Sequence, residues 1–276
     1  MNAHRSDTLE IFTAPPAATA TPLGCPPLLF LHGAYTAAWC WQERFLPYFA
    51  EGGFQATAIS FSGHGKSRRR DHLDSYSIDD YVNDVAEVVA GLPQPPVLIG
   101  HSMGGFVVQK YLEKHTAPAA VLMCSVPPQG LASSAVSMFF GKPSLLVDLN
   151  KLMTGGGVAL DSLREALFAQ PVPADDLLRY YRMAQPESHR AIWDMMLFNL
   201  PQPGKVLASL PHGRDDLLVM GAALDMIIPA SSVEMTARSY GVSAEILPGL
   251  GHGLMLEADW QKPARTLADW LRQRFR

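Results

Sequence analysis

Cysteine is scarce in this chain of 276 residues: Cys25, Cys40 and Cys124 are odd in number and irregularly spaced, with no Cys-x-x-Cys. Neither a disulfide framework nor a cysteine-built zinc cluster is expected, and a reducing compartment, the cytoplasm, fits such usage. Charge is sparse too, at 17% of residues with a formal net charge of -4. The densest basic run, Arg68-Arg69-Arg70, is closed at once by Asp71, so no broad phosphate-binding surface arises and nucleic acid is not an expected partner. No apolar run approaches the ~18 residues needed to span a bilayer. Asp7, Glu10 and the proline-bearing run from Ala14 to Pro27 interrupt the N-terminal stretch, so no secretory leader is expected. His-Glu-x-x-His is missing, and His32, His64 and His101 have no metal-ligand spacing with another His or with Cys. Gly65-Lys66-Ser67 resembles the end of a phosphate-binding loop, but Ser60 stands where its first glycine belongs. Metal and nucleotide cofactors are therefore not expected.

Apolar sequence, at 48%, is what the chain has in quantity, enough to bury a large core. Uniformly apolar runs of strand length recur at Leu28 to Leu31, Val97 to Ile99, Val121 to Met123 and Leu217 to Met220, with further candidates at Thr57 to Phe61 and Ala244 to Leu247. Such runs suit parallel strands covered on both faces. Helix-period segments lie between them: Trp39 to Ala50, a stripe from Ile78 to Leu92 capped by Ser77, Gly104 to His115, Val233 to Tyr240 and Pro263 to Phe275. This alternation predicts an α/β fold with a doubly wound, mainly parallel sheet. It stops after Ser125. From Val126 to about Pro203 prolines and glycines punctuate helical pieces rich in Met, Phe, Tyr and Trp. The expected division is a core over 1–126 and 204–276 and a helical cap, or lid, over 127–203. The stretch at 13–22 reads as a surface loop.

Directly after the strand Val97 to Ile99 comes Gly100-His101-Ser102-Met103-Gly104-Gly105, followed by a helix pattern. A serine on a sharp strand-to-helix turn sits in unfavourable backbone geometry, and glycines on either side remove the Cβ atoms that would clash. The turn lifts the hydroxyl out of the sheet and sets the Met103 N–H beside any oxygen that becomes negative during attack. Ser102 is thus the candidate nucleophile, and a lone serine needs a base. His252, in Leu250-Gly251-His252-Gly253 beyond the last strand, is the best placed of nine histidines. Asp225 follows the strand Leu217 to Met220 among apolar neighbours and can orient the imidazole, whereas Asp215 and Asp216 precede that strand. A second donor for the oxyanion is the N–H of Ala34, in His32-Gly33-Ala34-Tyr35 after Leu28 to Leu31.

In this order the landmarks resemble the α/β-hydrolase superfamily: His32-Gly33, Gly63-His64-Gly65-Lys66-Ser67, Gly100 to Gly105, Asp225 and His252. The resemblance covers nearly the whole chain and implies the α/β-hydrolase fold, with His32-Gly33 after a third strand and the cap inserted after the sixth. His32-Gly33-Ala34 through Trp39-Cys40-Trp41 is similar to plant-type small esterases and hydroxynitrile lyases. Gly63 to Ser67 with His101 to Gly105 is similar to bacterial carboxylesterases and monoacylglycerol lipases. The cyanogenic lyases carry a lysine where Gly253 stands, and aspartate or cysteine nucleophiles of the superfamily are replaced by Ser102. The resemblance implies a serine hydrolase acting on a small, ester-like, largely apolar molecule through Ser102, His252 and Asp225. Cofactor-free haloperoxidases and carbon–carbon bond hydrolases or lyases share that triad and are the rival reactions. A non-catalytic, ligand-binding receptor on the same scaffold is the rival class, which the intact triad disfavours.

Overall fold

The structure, a computed structural model, describes residues 8–19, 24–68, 70–131 and 160–276. One seven-stranded sheet runs in the order β1-β3-β2-β4-β5-β6-β7. Its strands are β1 (Glu10–Ala14), β2 (Leu28–Leu31), β3 (Ala56–Ser60), β4 (Val97–His101), β5 (Ala120–Met123), β6 (Leu217–Ala222) and β7 (Ala244–Leu247). All neighbours pair in parallel except β1, which runs antiparallel to β3 at the edge. The six apolar runs read from the sequence are all strands. β1 was not among them: Thr13 and Ala14, read as loop, end a half-buried edge strand whose residues alternate between partly buried and exposed. Its polar members Glu10 and Thr13 dilute the apolar signal that the buried strands carry.

Successive residues of each central strand feed opposite faces of the sheet. Leu28 and Phe30 of β2 join one core cluster, with Trp41, Phe45, Phe49 and Leu267. Leu29 and Leu31 join the other, with Tyr81, Phe106, Val233 and Tyr240. Each such fully buried side chain contributes about 1.5–3 kcal/mol from removal of apolar surface from water. Trp41, Phe45, Phe49, Tyr81 and Phe106 are carried by α1 (Trp39–Gln42), α2 (Phe45–Glu51), α3 (Ile78–Gly91) and α4 (Met103–Leu112). The single helix expected over Trp39 to Ala50 is two, parted at Arg44, whose φ of -141° is not helical. Ser77 caps α3 as expected: its side chain accepts from Asp80 N–H, and the Asp80 carboxylate accepts from Ser77 N–H at 2.8 Å.

Between β5 and β6 the described residues hold no strand. They form α5 (Leu160–Leu167), α6 (Ala174–Met183), α7 (His189–Trp193), a π-helical turn over Asp194–Phe198 and α8 (Pro203–Ala208). Ala191 and Met195 pack into the core, seating this helical segment on the sheet. Among the described residues the segment follows the fifth strand in chain order, where the resemblance implied the sixth. The resemblance counted two strands before Leu28, and among the described residues there is one, β1. The sheet closes with α9 (Ala230–Tyr240) and α10 (Gln261–Arg274). Among the described residues no helix is long and apolar enough to cross a membrane.

Because β2 lies between β3 and β4, the connections leaving β2 and β4 run to opposite sides. Their carboxyl ends therefore flank a crevice, the place where open α/β sheets bind ligands.

Candidate active site

Ser102 begins α4 directly from β4, at φ 53° and ψ -116°. A non-glycine residue in this positive-φ region is strained by roughly 1–3 kcal/mol and persists only where surrounding bonds impose it. Here they do. Ser102 N–H donates to Met123 O at 3.0 Å, and Ser102 O accepts from Gly105 and Val126 N–H. The flanking glycines are required by close approach: a Cβ on Gly104 would stand 2.4 Å from Leu31 O, and one on Gly100 would stand 2.3 Å from Gly104 O.

His252 follows β7 and Asp225 follows β6, and the parallel pairing of these strands brings the two side chains together. His252 Nδ1 lies 2.8 Å from Asp225 Oδ2, with both side chains buried. A carboxylate only accepts, so Nδ1 carries the proton and Nε2 keeps the lone pair. The other oxygen, Oδ1, accepts from Ile227 and Ile228 N–H at 2.8 Å each, which fixes the carboxylate plane. Asp215 and Asp216 sit elsewhere; Asp216 ties down His212 and Arg274.

Ser102, His252, Ala34 and Met103 all border one cavity of about 370 Å³. Among the described residues Ser102 Oγ forms no hydrogen bond with the His252 ring, and no acceptor takes the N–H of Ala34 or of Met103. The walls come from the core side, with Trp39 and Ile228, and from the helical segment, with Phe168, Tyr180, Ile192 and Met195. Trp39 and Tyr180 stack at 5.6 Å between centroids. Among the described residues no Asp, Glu, Lys or Arg borders this cavity. Of the Met, Phe, Tyr and Trp residues that enrich the helical segment, Phe168, Tyr180, Met195 and Met196 border the cavity, while Tyr181, Met183, Trp193 and Phe198 do not. Trp193 and Phe198 point to solvent, at 59% and 75% exposure. Met138, Phe139, Phe140 and Met153 lie outside the described residues.

Residues 28–269 match the Alpha/beta hydrolase family. The chain belongs to that family. A non-heme haloperoxidase of Rhodococcus erythropolis is 35% identical over 106 residues, covering 37% of this chain and 38% of that protein. A bifunctional esterase/perhydrolase of Acinetobacter calcoaceticus is 35% identical over 111 residues, covering 39% of each. The chain thus matches well under half the length of these curated relatives. Among solved structures, an esterase from Exiguobacterium antarcticum is similar with a TM-score of 0.70 at 20% identity, covering 97% of both chains. A bromoperoxidase from Bacillus anthracis gives 0.66 at 18% identity, covering 96% of both. At these identities the structural likeness speaks for the fold alone.

Several residues around the site of this alpha/beta hydrolase escaped the reading of its sequence. His101 Nε2 donates to His252 O at 2.9 Å, and the two rings lie 4.6 Å apart. Burial, with the neighbouring His252, pushes the His101 pKa down to about 3. Cys124, directly after β5, lies beside Asp225, and burial together with that carboxylate holds its thiol well above the ordinary range. His101, Cys124 and His252 place ligand atoms within 4.8 Å of one another, a juxtaposition that linear spacing does not reveal. Cation binding there would have to ionise a thiol that burial keeps protonated. Two fully buried carboxylates, Glu187 and Glu257, join the helical segment to the core. The signal for Glu257 was an acid closing the otherwise apolar run Leu254-Met255-Leu256.

Proposed function

We propose that this protein is a serine hydrolase that cleaves small, largely apolar carboxylic esters through an acyl-enzyme on Ser102. The observation that carries the reading is the meeting, on one cavity bordered by no Asp, Glu, Lys or Arg among the described residues, of a strained serine at a helix N-terminus and an imidazole oriented by a buried carboxylate. Ser102 Oγ attacks the ester carbonyl while His252 Nε2 takes its proton. Asp225 holds the imidazole in the required tautomer and stabilises it when charged. The N–H groups of Ala34 and Met103 receive the oxyanion, a role that suits two N–H groups with no acceptor among the described residues. His252 then returns the proton to the departing alcohol and activates the water that hydrolyses the acyl-enzyme. A hydrogen bond between Ser102 Oγ and His252 Nε2 is expected to form once substrate fills the cavity, since catalytic hydrogen bonds often come into range only in the complex.

The helical segment over 127–203 acts in this reading as a cap that closes the cavity and sorts substrates. Its apolar wall and the cavity volume suit short aliphatic or aromatic groups and reject charged ones. Three free thiols fit a reducing, cytoplasmic setting. The test is hydrolysis of p-nitrophenyl acetate, butyrate and octanoate by the wild type and by Ser102→Ala. The short neutral esters are expected to turn over in the wild type alone; equal activity of the two proteins would sink the nucleophile assignment.

The names of the matched haloperoxidase and esterase/perhydrolase favour one second reaction. Hydrogen peroxide in place of water would release a peroxy acid from the same acyl-enzyme. Its formation from an acetate ester and peroxide, lost in Ser102→Ala, checks this directly.

A further inference from the structure

We infer that Glu257 is a positioning residue through which the seating of the helical segment sets the place of His252; this rests on the reading of His252 as base. The Glu257 side chain is fully buried, and among the described residues its hydrogen-bond donors are all backbone N–H groups. Oε1 accepts from Gly251 N–H at 2.7 Å and from Ala169 N–H at 2.8 Å, and Oε2 accepts from Gln170 N–H at 3.0 Å. One carboxylate therefore holds both the loop that presents His252 and the connector between α5 and α6.

The grip on that loop is continuous. Gly251 N–H is held by Glu257, His252 O by His101, and Gly253 N–H donates to Leu167 O at 2.7 Å. Two of these three ties run to the stretch 167–170 or to the carboxylate that holds it. The approach is too close for a side chain: a Cβ on Gly251 would stand 2.8 Å from Ala169 N and 2.9 Å from Leu167 O. Gln170 doubles the seam, its Nε2 donating to Gly249 O at 3.0 Å and its Oε1 accepting from Asp259 N–H at 2.9 Å. Leu167 and Phe168 of the same stretch border the cavity. A substrate that presses on them presses, through one shared carboxylate, on the loop that carries the base.

Only a carboxylate suits this position. Each of its oxygens can accept, whereas an amide would turn an NH₂ group toward a backbone N–H. Glu187 supplies the comparison, being equally buried at the other seam of the helical segment. It accepts from His64, Tyr81 and Ser188. None of these belongs to the His252 loop.

The experiment compares Glu257→Gln, Glu187→Gln, Gln170→Ala and Ser102→Ala, reading kcat and KM on p-nitrophenyl butyrate, the pH profile of kcat, and melting. Misplacing a reacting group by about 1 Å can cost about 100-fold, so Glu257→Gln is expected to lower kcat by about 10- to 100-fold with KM changed less than about 3-fold. Its acid limb of the pH profile is expected to move, because the imidazole no longer sits as it did. Glu187→Gln is expected to melt earlier with kcat within about 3-fold of wild type, and Gln170→Ala to shift kcat in the direction of Glu257→Gln by a smaller factor. Wild-type kcat in Glu257→Gln, or an equal kcat loss in Glu187→Gln, would overturn the proposal. If Glu257→Gln does not fold, Gln170→Ala decides, since its side chain is only half-buried. A wild-type kcat and pH profile there also overturns it. Full activity in Ser102→Ala would instead remove the underlying reading, so the two failures are told apart.

Discussion

His64 Nε2 stands 2.9 Å from Glu187 Oε2, and neither side chain is reached by solvent. The same carboxylate accepts from Tyr81 OH at 2.7 Å and from Ser188 N–H at 2.8 Å, so a loop after β3, helix α3 and the helical segment meet at one group. Removing one member of such a network leaves the others buried without partners, at a cost of about 3–5 kcal/mol. Glu187→Ala is expected to lower the melting temperature by on the order of 10 °C. Tyr81→Phe removes a single donor and should cost about 1 kcal/mol. Urea unfolding of both variants checks the ranking, and equal stability of Glu187→Ala and wild type would refute it.

Gly33 sits where the loop after β2 faces the serine turn. A Cβ there would lie 2.9 Å from His101 Nδ1 and 3.1 Å from Ser102 Cβ. Gly33→Ala must shift either the serine or the Ala34 N–H, and one lost oxyanion donor costs about 100-fold or more in kcat. The variant is expected to fold and to lose roughly 10- to 100-fold in kcat. Full activity with p-nitrophenyl butyrate would mean that this loop does not contribute to the reaction.

The legible parts of the molecule are those fixed by neighbours in sequence. Leu28 to Leu31 and Val97 to Ile99 announce buried parallel strands because every residue is apolar, and Ser102 is announced by the glycines around it. Ser77 announces a helix start for the same local reason. What is illegible depends on partners brought together only by the fold. Glu187 lies 123 residues from His64 and Glu257 lies 88 from Ala169, and backbone N–H groups leave no mark in a sequence. Cys124 gave no sign of Asp225, since a lone cysteine carries no spacing to read. β1 was missed because an edge strand needs only one covered face, and Glu10 and Thr13 satisfy it with little apolar character.

His101 and His32 set an expected acid limit on stability. His32 Nδ1 donates to Gly33 O and its Nε2 accepts from Phe61 N–H, so the ring is neutral. Burial, then the neighbouring His64, holds its pKa well below the ordinary 6.5. For His101 the value falls to about 3. The unfolded chain takes up these protons as pH drops below 6.5, while the folded protein does not. Stability is therefore present above that pH and is lost as pH falls toward 3, by up to about 1.4 kcal/mol per pH unit for each ring. Urea midpoints at pH 7, 6 and 5 should decline, and His101→Gln should decline less steeply than wild type. A midpoint independent of pH in this range would contradict both assignments.

Asp225→Asn separates orientation of the base from folding of its loop. The carboxylate serves two sides at once, Ile227 and Ile228 N–H through Oδ1 and His252 Nδ1 through Oδ2. An asparagine has one oxygen to offer. If that oxygen keeps the two N–H groups, the NH₂ faces the imidazole and demands a lone pair on Nδ1. The proton then moves to Nε2, and the lone pair that accepts the serine proton in the proposed reaction is lost. Replacing the acid of a serine triad by its amide lowers kcat by about 10⁴-fold for this reason. Here a fall of about 10³- to 10⁴-fold is expected with KM nearly unchanged, and with a loss of stability near 1 kcal/mol because the loop keeps its acceptor. Steady-state kinetics on p-nitrophenyl butyrate and thermal melting of the same sample read the two effects separately. A large melting shift with kcat spared would assign Asp225 to the loop and leave His252 without an orienting acid.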